Sequence, residues 1–220
     1  MSTDHLLVCV DRTELTRDMA TFTFRAVEPY TFVFNPGQFL SVGIEIDGRV
    51  VERCYSISSS PTRPDTLSIS VKRKVGGHVS NWLHDNMSPG RTLTASGPLG
   101  RFSYIDKPAT KLLLISAGSG ITPVMAMLRQ LSSHGQTPDI VHIHSAPTRD
   151  DVIFLDEMEK LADPSNYLTD PGLAWKRIRQ PGRMAVHVGI GRGRALGREQ
   201  QRAGRACLPA QQGIEQPVAH

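Results

Sequence analysis

The stretch "KLLLISAGSGITPVMAML", residues 111–128, joins an apolar run to a helical pattern through a glycine-rich turn. A run that is apolar at successive positions is typical of a strand buried on both faces of a parallel sheet. Helical spacing follows, with apolar side chains at Ile121, Val124, Leu128 and Leu131. Thr122 can cap this helix, and Pro123 suits its first position. The stretch therefore predicts one strand–turn–helix unit of an α/β fold.

The same pattern is repeated once on the C-terminal side. "DIVHIHSA", residues 139–146, predicts a second strand, in which His142 and His144 alternate along a partly exposed face. "DDVIFLDEMEKLA", residues 150–162, predicts a second helix. One β-α-β-α run is typical of a doubly wound parallel sheet, which we place in residues 107–167.

Residues 168–220 lose this periodicity and are rich in Gly, Arg, Gln and Ala. Such a composition offers little apolar surface to offset the entropy of ordering, so we expect little packed structure there. The net charge of +4 also arises in this part of the chain. Residues 176–220 carry nine Lys and Arg and two acidic residues, whereas residues 1–175 carry sixteen and nineteen. The tail lacks interleaved aromatic residues, so no nucleic-acid partner is expected.

Residues 5–106 have the composition of short β-strands, with Gly and Pro residues between them. The segments "TFTFRAV" (21–27), "YTFVFNPG" (30–37) and "TLSISVKRK" (66–74) are rich in β-branched and aromatic residues. Asp47 and Gly48 predict a hairpin turn, and "HVSNWLHDN" predicts one short helix over residues 78–86. Frequent Gly and Pro between these segments favour a small antiparallel barrel or a sandwich.

No apolar run approaches the length of a membrane span, and the first residues lack the pattern of a signal peptide. The three cysteines form no metal-ligand spacing. We therefore expect a cytoplasmic protein with reduced cysteines, no metal site and no membrane association.

The stretch "VERCYSISSSP", residues 51–61, places a cation, an aromatic ring and hydroxyls close together. Arg53 and Tyr55 point to one face of a strand, and Ser56 points to the other. Arginine binds phosphate with two parallel hydrogen bonds, and tyrosine covers aromatic faces, so the pair suits a ligand with both features. An ordinary half-buried strand with an exposed arginine explains the same residues equally well.

Two glycine-containing turns precede helices. Gly76 and Gly77 come before the helix at 78–86, and Gly118 and Gly120 come before the helix that follows the first parallel strand. Backbone N–H groups at a helix N-terminus bind anions, but glycine turns into helices are common without any ligand. Pro123 interrupts the usual G-x-G-x-x-G dinucleotide pattern.

Taken together, these motifs resemble those of the ferredoxin–NADP reductase family of flavoproteins over about residues 5–165. "RCYSISS" resembles the flavin motif of that family, and "GGHVSNWL" resembles its pyrophosphate loop. "SGPLGRF" is similar to the glycine-rich end of its barrel, and "SAGSGITPVMAML" to its nicotinamide-nucleotide loop. The resemblance implies an antiparallel Greek-key FAD-binding barrel followed by a doubly wound parallel-sheet domain that binds NADH or NADPH.

The resemblance also implies roles for individual residues. Arg53 would hold the FAD pyrophosphate, Tyr55 would lie against the flavin, and Ser56 would bond near its hydride-accepting nitrogen. Tyr55 and Ser56 are thus the residues expected at the reacting ring. Phosphate would also be held by Gly77, His78, Val79 and Ser80. The nicotinamide nucleotide would be held by Gly118, Ser119, Gly120, Thr122 and Pro123.

The family implies an NAD(P)H-dependent FAD oxidoreductase that passes electrons to a protein acceptor, such as an oxygenase or a ferredoxin. Many relatives carry a [2Fe–2S] domain, which needs four cysteines, so no iron–sulfur cluster is expected in this chain. The family's late Cys-Gly-Pro segment is also missing, and the composition change near residues 167–180 suggests a truncated or frame-shifted end. The alternative is an FAD-binding remnant with impaired turnover, whose incomplete sheet has an unpaired edge and an uncovered face.

Overall fold

The computed structural model describes residues 4–133, 138–161, 168–170 and 184–190. Its first part is an antiparallel sheet of six strands with one helix. These elements are β1 (Asp4–Thr16), β2 (Met19–Ala26), β3 (Phe39–Ile46), β4 (Arg49–Ser56), β5 (Leu67–Lys72), α1 (His78–Asn86) and β6 (Thr92–Leu99). The strand order is β4-β3-β6-β1-β2-β5, so strands distant in sequence become neighbours.

The antiparallel sheet curls around a core of alternating side chains. Its two outer strands, β4 and β5, approach each other just beyond Ser56. There Ile57 forms a single antiparallel bridge with Ile69, and the Ser58 N–H donates to the Ser68 carbonyl at 2.8 Å. The ladder among the described residues is therefore open, with this short contact between its ends, and it forms the barrel-like half of the expected fold.

The hairpin predicted at Asp47 and Gly48 is confirmed. Strands β3 and β4 pair up to the Ile46–Arg49 position, which leaves a two-residue turn. Both turn residues have positive φ, 52° at Asp47 and 73° at Gly48, as a type I′ turn requires. This turn sets the register that places Tyr55 opposite Leu40.

The prediction of a β-strand within "YTFVFNPG" is wrong. Residues 29–35 have no strand pairing, although Phe32 and Phe34 are buried, with 1% and 6% exposure. The Phe32 N–H instead donates to the carbonyl of Pro64 at 2.8 Å. The alternating pattern correctly marks which side chains enter the core, but burial of alternate residues does not require a neighbouring strand.

The short helix predicted over residues 78–86 is confirmed as α1. Val79, Leu83 and His84 face the core, and Trp82 packs partly against it. The His84 Nε2 lies 2.9 Å from the Val71 carbonyl at the end of β5, which ties the helix to the sheet.

The second part is the predicted parallel sheet. Its elements are β7 (Lys111–Ala117), α2 (Ile121–Ser133), β8 (Asp139–Ala146), α3 (Leu155–Leu161), β9 (Leu168–Asp170) and β10 (Met184–Ile190). The strand order is β7-β8-β10-β9, with all pairings parallel. Leu114 and Ile140 from the sheet form one core with Leu128 of α2 and Met158 of α3.

Strand β7 does not have the two buried faces that its apolar run predicts. Leu114 and Ser116 are buried, but Leu113 and Ile115 are 63% and 67% exposed. The reason is positional: β7 is at the edge of the described sheet, and α2 and α3 both contribute to the core on the Leu114 side. Among the described residues, one face of β7 is therefore exposed and its outer edge is unpaired.

Two strands lie where little packed structure is expected. β10 pairs with β8 from Met184 to Ile190, and β9 pairs with β10. For these segments the expectation is wrong, and the signal was available, since "MAVHVGI" places Val186, Val188 and Ile190 at a spacing of two. The other residues of the predicted tail lie outside the described part of the chain.

The buried Cys9 is free, as the sequence predicts, whereas Cys54 is disulfide-bonded, which differs from the expectation of reduced cysteines. In the part of the chain that the structure describes, no helix combines the length and the apolar character that a membrane crossing needs.

Candidate functional site

The fold brings the three predicted motifs to neighbouring positions. Helix α1, which follows the first glycine turn, contacts β4, the strand that carries Arg53 and Tyr55. The second glycine turn, a 3₁₀ turn at Gly118–Gly120, contacts both β5 of the antiparallel sheet and β8 of the parallel sheet. The three motifs therefore lie on elements that contact each other directly or through the shared neighbours β4 and β5.

Arg53 and Tyr55 differ in their surroundings although both belong to β4. Arg53 is exposed, and its Nη1 donates to the neighbouring Glu52 carbonyl at 2.6 Å. Tyr55 is half-buried and packs against the core of the antiparallel sheet. Burial raises the pKa of Tyr55 to about 12, and the nearby Arg53 charge opposes this shift only partly. Tyr55 is therefore a neutral phenol at physiological pH, next to an accessible guanidinium.

The hydroxyl run after Tyr55 has mainly a structural role. Ser56 ends β4 opposite Phe39. The Ser58 hydroxyl lies 3.0 Å from that of Ser70, and the Ser59 hydroxyl accepts from the Ser68 N–H at 3.0 Å. The Ser60 hydroxyl lies 2.8 Å from that of Thr62. Ser58 to Ser60 thus fasten the end of β4 to β5 and to the next turn, which leaves Ser56 as the ligand candidate that the motif predicts.

The first glycine turn leads into an uncapped helix N-terminus. Gly77 is the N-cap of α1, and no side chain caps this helix or places a carboxylate in its first turn. The Ser80 hydroxyl accepts from the Lys74 N–H at 3.3 Å, and a Cβ at Gly77 would lie 2.5 Å from that hydroxyl. His78 is exposed, whereas the Val79 side chain is buried, so Val79 can offer only its backbone to a ligand.

The second glycine turn is open on its outer side. Gly118 has φ of 49°, and a Cβ at Gly118 or Gly120 would meet nothing within 4 Å. Ser119 is exposed, and Pro123 is half-buried in α2. Thr122 is buried, and its hydroxyl donates to the Ser119 carbonyl at 3.0 Å. Thr122 therefore braces the turn through a carbonyl and does not act as the N-cap predicted from the sequence.

A buried polar cluster lies directly before this turn and was not anticipated. Ser116, the last but one residue of β7, has its hydroxyl 2.9 Å from the Nε2 of His142 and 2.8 Å from the Nδ1 of His144. Both histidines are fully buried, so the expectation of a partly exposed face is wrong. Burial lowers the pKa of His142 to about 3 and that of His144 to about 4, and His144 adds to the shift at His142.

Comparison with known proteins identifies both parts of the chain. The family model for the oxidoreductase FAD-binding domain matches residues 7–104, and that for the oxidoreductase NAD-binding domain matches residues 114–176. Ferredoxin–NADP reductase B of Sorangium cellulosum is 33% identical over 172 residues, which cover 76% of this chain and 69% of that protein. The chain belongs to the ferredoxin–NADP reductase family.

This member of the ferredoxin–NADP reductase family also matches longer proteins. The glycine betaine monooxygenase reductase subunit of Pseudomonas aeruginosa (strain UCBPP-PA14) is 48% identical over 158 residues, 72% of this chain. The chain spans only 43% of that relative. The FAD/NAD-binding domain of the Vibrio cholerae nitric oxide dioxygenase superposes with a TM-score of 0.69 over 87% of this chain and 81% of that one, at 21% identity. The latter match shows a shared fold.

Proposed function

We propose that this chain is an NAD(P)H-dependent FAD oxidoreductase that supplies electrons to a protein acceptor. The single observation that carries the proposal is the set of groups on two contacting elements: the guanidinium of Arg53 and the neutral phenol of Tyr55 on β4, beside the uncapped N-terminus of α1. A guanidinium and free N–H groups suit phosphates, and a phenol suits a flat ring. A dinucleotide with an aromatic head has both.

The residues around this set fit FAD. No carboxylate lies in the first turn of α1 to compete with a phosphate. The Oδ1 of Asn81, in the same turn, is buried and has no hydrogen-bond partner. A buried acceptor without a donor is costly, so a ligand hydroxyl or N–H beside Asn81 would stabilise it. The FAD pyrophosphate would be held by Arg53, Gly77, His78, Val79 and Ser80.

The nicotinamide nucleotide is assigned to the second turn. Backbone N–H groups at the start of α2 favour an anionic ligand, and the space beside the two glycines leaves room for one. Thr122 keeps the turn in shape through its bond to Ser119. The binding set would be Gly118, Ser119, Gly120, Thr122 and Pro123.

The chain's own residues bind and orient the reacting groups. FAD, when bound, accepts a hydride from the nicotinamide and releases electrons one at a time. Tyr55 covers the ring and stays protonated, so its hydroxyl can donate a hydrogen bond at any physiological pH. Ser56 orients the hydride-accepting edge of the ring through its hydroxyl. No side chain of this set needs to act as a covalent nucleophile.

The electron acceptor is proposed to be an oxygenase or a ferredoxin. Support comes from the Pseudomonas relative, whose name makes it the reductase subunit of a monooxygenase. Neither a nucleic acid nor a membrane has a role in this proposal.

A second candidate function is FAD binding with impaired turnover. It is favoured by the exposed face of β7, where Leu113 and Ile115 are uncovered in the domain assigned to the nicotinamide. Such a domain can hold its nucleotide too loosely for efficient hydride transfer.

An anaerobic titration distinguishes the two. The purified chain is loaded with FAD, separated from free FAD, and mixed with NADH or NADPH while the visible flavin absorption is followed. Bleaching supports the oxidoreductase. Retained flavin without bleaching supports the second candidate, and a protein that stays colourless after FAD addition contradicts both.

A further inference from the structure

Helix α2 is attached to the antiparallel sheet through Arg129. The Nη1 of Arg129 donates to the backbone carbonyl of Ser58. Ser58 is fully buried, its N–H donates to the Ser68 carbonyl, and its hydroxyl bonds Ser70, so this carbonyl belongs to a rigid part of the sheet. Ser58 is also two residues beyond Ser56. The arginine thus links α2 to the end of the flavin motif.

The guanidinium of Arg129 is held in place by α3. Its Nε donates to the Glu157 Oε1 at 2.7 Å, and its Nη2 donates to the Oε2, which gives a bidentate pair. Its carbon atom lies 4.7 Å from the centre of the Phe154 ring. Planar stacking with two-point pairing is specific to arginine, because a lysine ammonium is a point charge. Three nitrogen atoms of the Arg129 guanidinium therefore donate to partners in two domains: Ser58 in the antiparallel sheet and Glu157 in the parallel-sheet domain.

Other contacts near Arg129 also join α2 to the antiparallel-sheet domain. The Tyr104 hydroxyl donates to the Gln130 Oε1 at 3.1 Å. A Cβ at Gly37 would lie 1.9 Å from the Phe102 carbonyl oxygen and 2.7 Å from the Met127 Cε. Met19 of β2 is part of the apolar core around α2. One side of α2 therefore rests on the antiparallel sheet and on residues 101–106, the connecting segment between the two domains.

We propose that Arg129 is a positioning residue that fixes the glycine turn at Gly118–Gly120 relative to the Tyr55–Ser56 end of β4. The turn leads directly into α2, and Arg129 is nine residues beyond Gly120, about 14 Å along a helix axis. A short rigid helix transmits the position of its anchored side chain to its first turn. The contacts of Arg129 are present whatever the function of the chain is, whereas their effect on hydride transfer rests on the proposed function.

The first test measures the junction without requiring activity. Amide hydrogen exchange is compared between the FAD-treated chain and the variants Arg129→Gln, Glu157→Gln and Glu159→Gln. Glu159 is the matched control, since it lies on the same helix and pairs with Arg149. We expect faster exchange in the connecting segment 101–106 and in residues 57–60 for Arg129→Gln, a smaller effect for Glu157→Gln, and none for Glu159→Gln.

The second test follows single-turnover flavin reduction by NAD(P)H. A displacement of the donor by about 1 Å can slow a positioned reaction up to about a hundredfold, so we expect at least about a tenfold lower rate at saturating NAD(P)H for Arg129→Gln. The apparent Kd for NAD(P)H should change much less, because the turn itself is intact. Arg129→Lys keeps the charge but not the bidentate pairing with Glu157, so it should have an intermediate rate.

The two tests separate this inference from the proposed function. If the unmodified chain shows no flavin reduction, the proposed function fails and the exchange data alone decide the role of Arg129. Exchange in Arg129→Gln that equals the Glu159→Gln control overturns the inference, as does a rate unchanged from wild type. If Arg129→Gln does not fold, Arg129→Lys and Glu157→Gln decide by the same criteria.

Discussion

Arg53 is the exposed cation on β4 that the proposed pyrophosphate site depends on. A charge-assisted hydrogen bond to a charged ligand contributes about 1.5–3 kcal/mol. We therefore expect Arg53→Gln to weaken FAD binding by about tenfold to a hundredfold. Titration of the FAD-free chain with FAD, followed by flavin fluorescence, measures the Kd.

Arg49 provides the control, because it is also exposed on β4 but lies at the hairpin end opposite Ile46. Arg49→Gln removes the same charge four residues away and should leave FAD binding nearly unchanged. An equal loss in both variants would mean that only the overall charge matters, and it would remove Arg53 from the site.

Gly37 is required where the connecting segment and α2 meet. Its φ is 100°, and an added Cβ would overlap the carbonyl oxygen of Phe102 at 1.9 Å. Gly90 has a similar φ of 91°, but a Cβ there would meet nothing within 4 Å. Comparing alanine substitutions at Gly37 and Gly90 therefore separates the cost of backbone strain from the cost of steric overlap.

We expect Gly90→Ala to lower the free energy of unfolding by about 1–2 kcal/mol, the usual range for a strained φ. Gly37→Ala adds the displacement of Phe102 and should cost about 3–4 kcal/mol or more. Urea denaturation followed by circular dichroism measures both. Similar losses in the two variants would show that the contact with Phe102 does not matter.

The strands β7 and β8 share a buried Ser116–His142–His144 cluster that makes the fold sensitive to acid. An unfolded histidine takes up a proton near pH 6.5, whereas the folded pKa values are about 3 and about 4. Between pH 6.5 and about 4 the unfolded chain thus binds more protons than the folded one. The free energy of unfolding should therefore decrease as the pH is lowered through this window, by up to about 1.4 kcal/mol per pH unit for each histidine.

The double variant His142→Gln/His144→Asn tests this cluster. His142 contacts Ser116 through Nε2 and His144 through Nδ1, so the two amides can keep these hydrogen bonds without titrating. We expect a flatter dependence of the unfolding free energy on pH between about 6.5 and 4, with each single variant intermediate. A slope equal to that of the wild type would show that other groups cause the acid sensitivity.

Among the described residues of the molecule, β7 exposes an apolar face and has an unpaired outer edge. Exposed apolar strands at a sheet edge pair with other chains. We expect the 220-residue chain to self-associate as its concentration rises. The double variant Leu113→Thr/Ile115→Thr should reduce this association because it replaces the two exposed apolar side chains. Threonine also keeps the β propensity at position 115. Sedimentation velocity over a concentration series measures the effect.

Val33→Thr is the control for this prediction, since Val33 is 80% exposed outside the β7 strand. It should leave the sedimentation profile unchanged. A chain that stays monomeric at all concentrations, or an equal response to both sets of substitutions, contradicts the role of β7.

The features that could be predicted from the residues alone are local ones. The hairpin at Asp47–Gly48, the helix at 78–86 and the strand–turn–helix of 111–128 all follow from residues close together in the chain. Turn conformation and amphipathic spacing depend on short-range sterics and on the pattern of apolar residues, so a few neighbouring residues suffice to predict them. The four motifs likewise identified the family, because each is a short segment in a given order.

Which of these elements contact each other could be seen only in the folded chain. The fold buries Phe32 and Phe34 outside any strand, buries His142 and His144, and exposes Leu113 and Ile115. It also brought Arg129 to the carbonyl of Ser58, 71 residues earlier in the chain. The physical reason is that burial, pKa and ion pairing depend on what covers a side chain, and the covering residues come from elements far away in sequence.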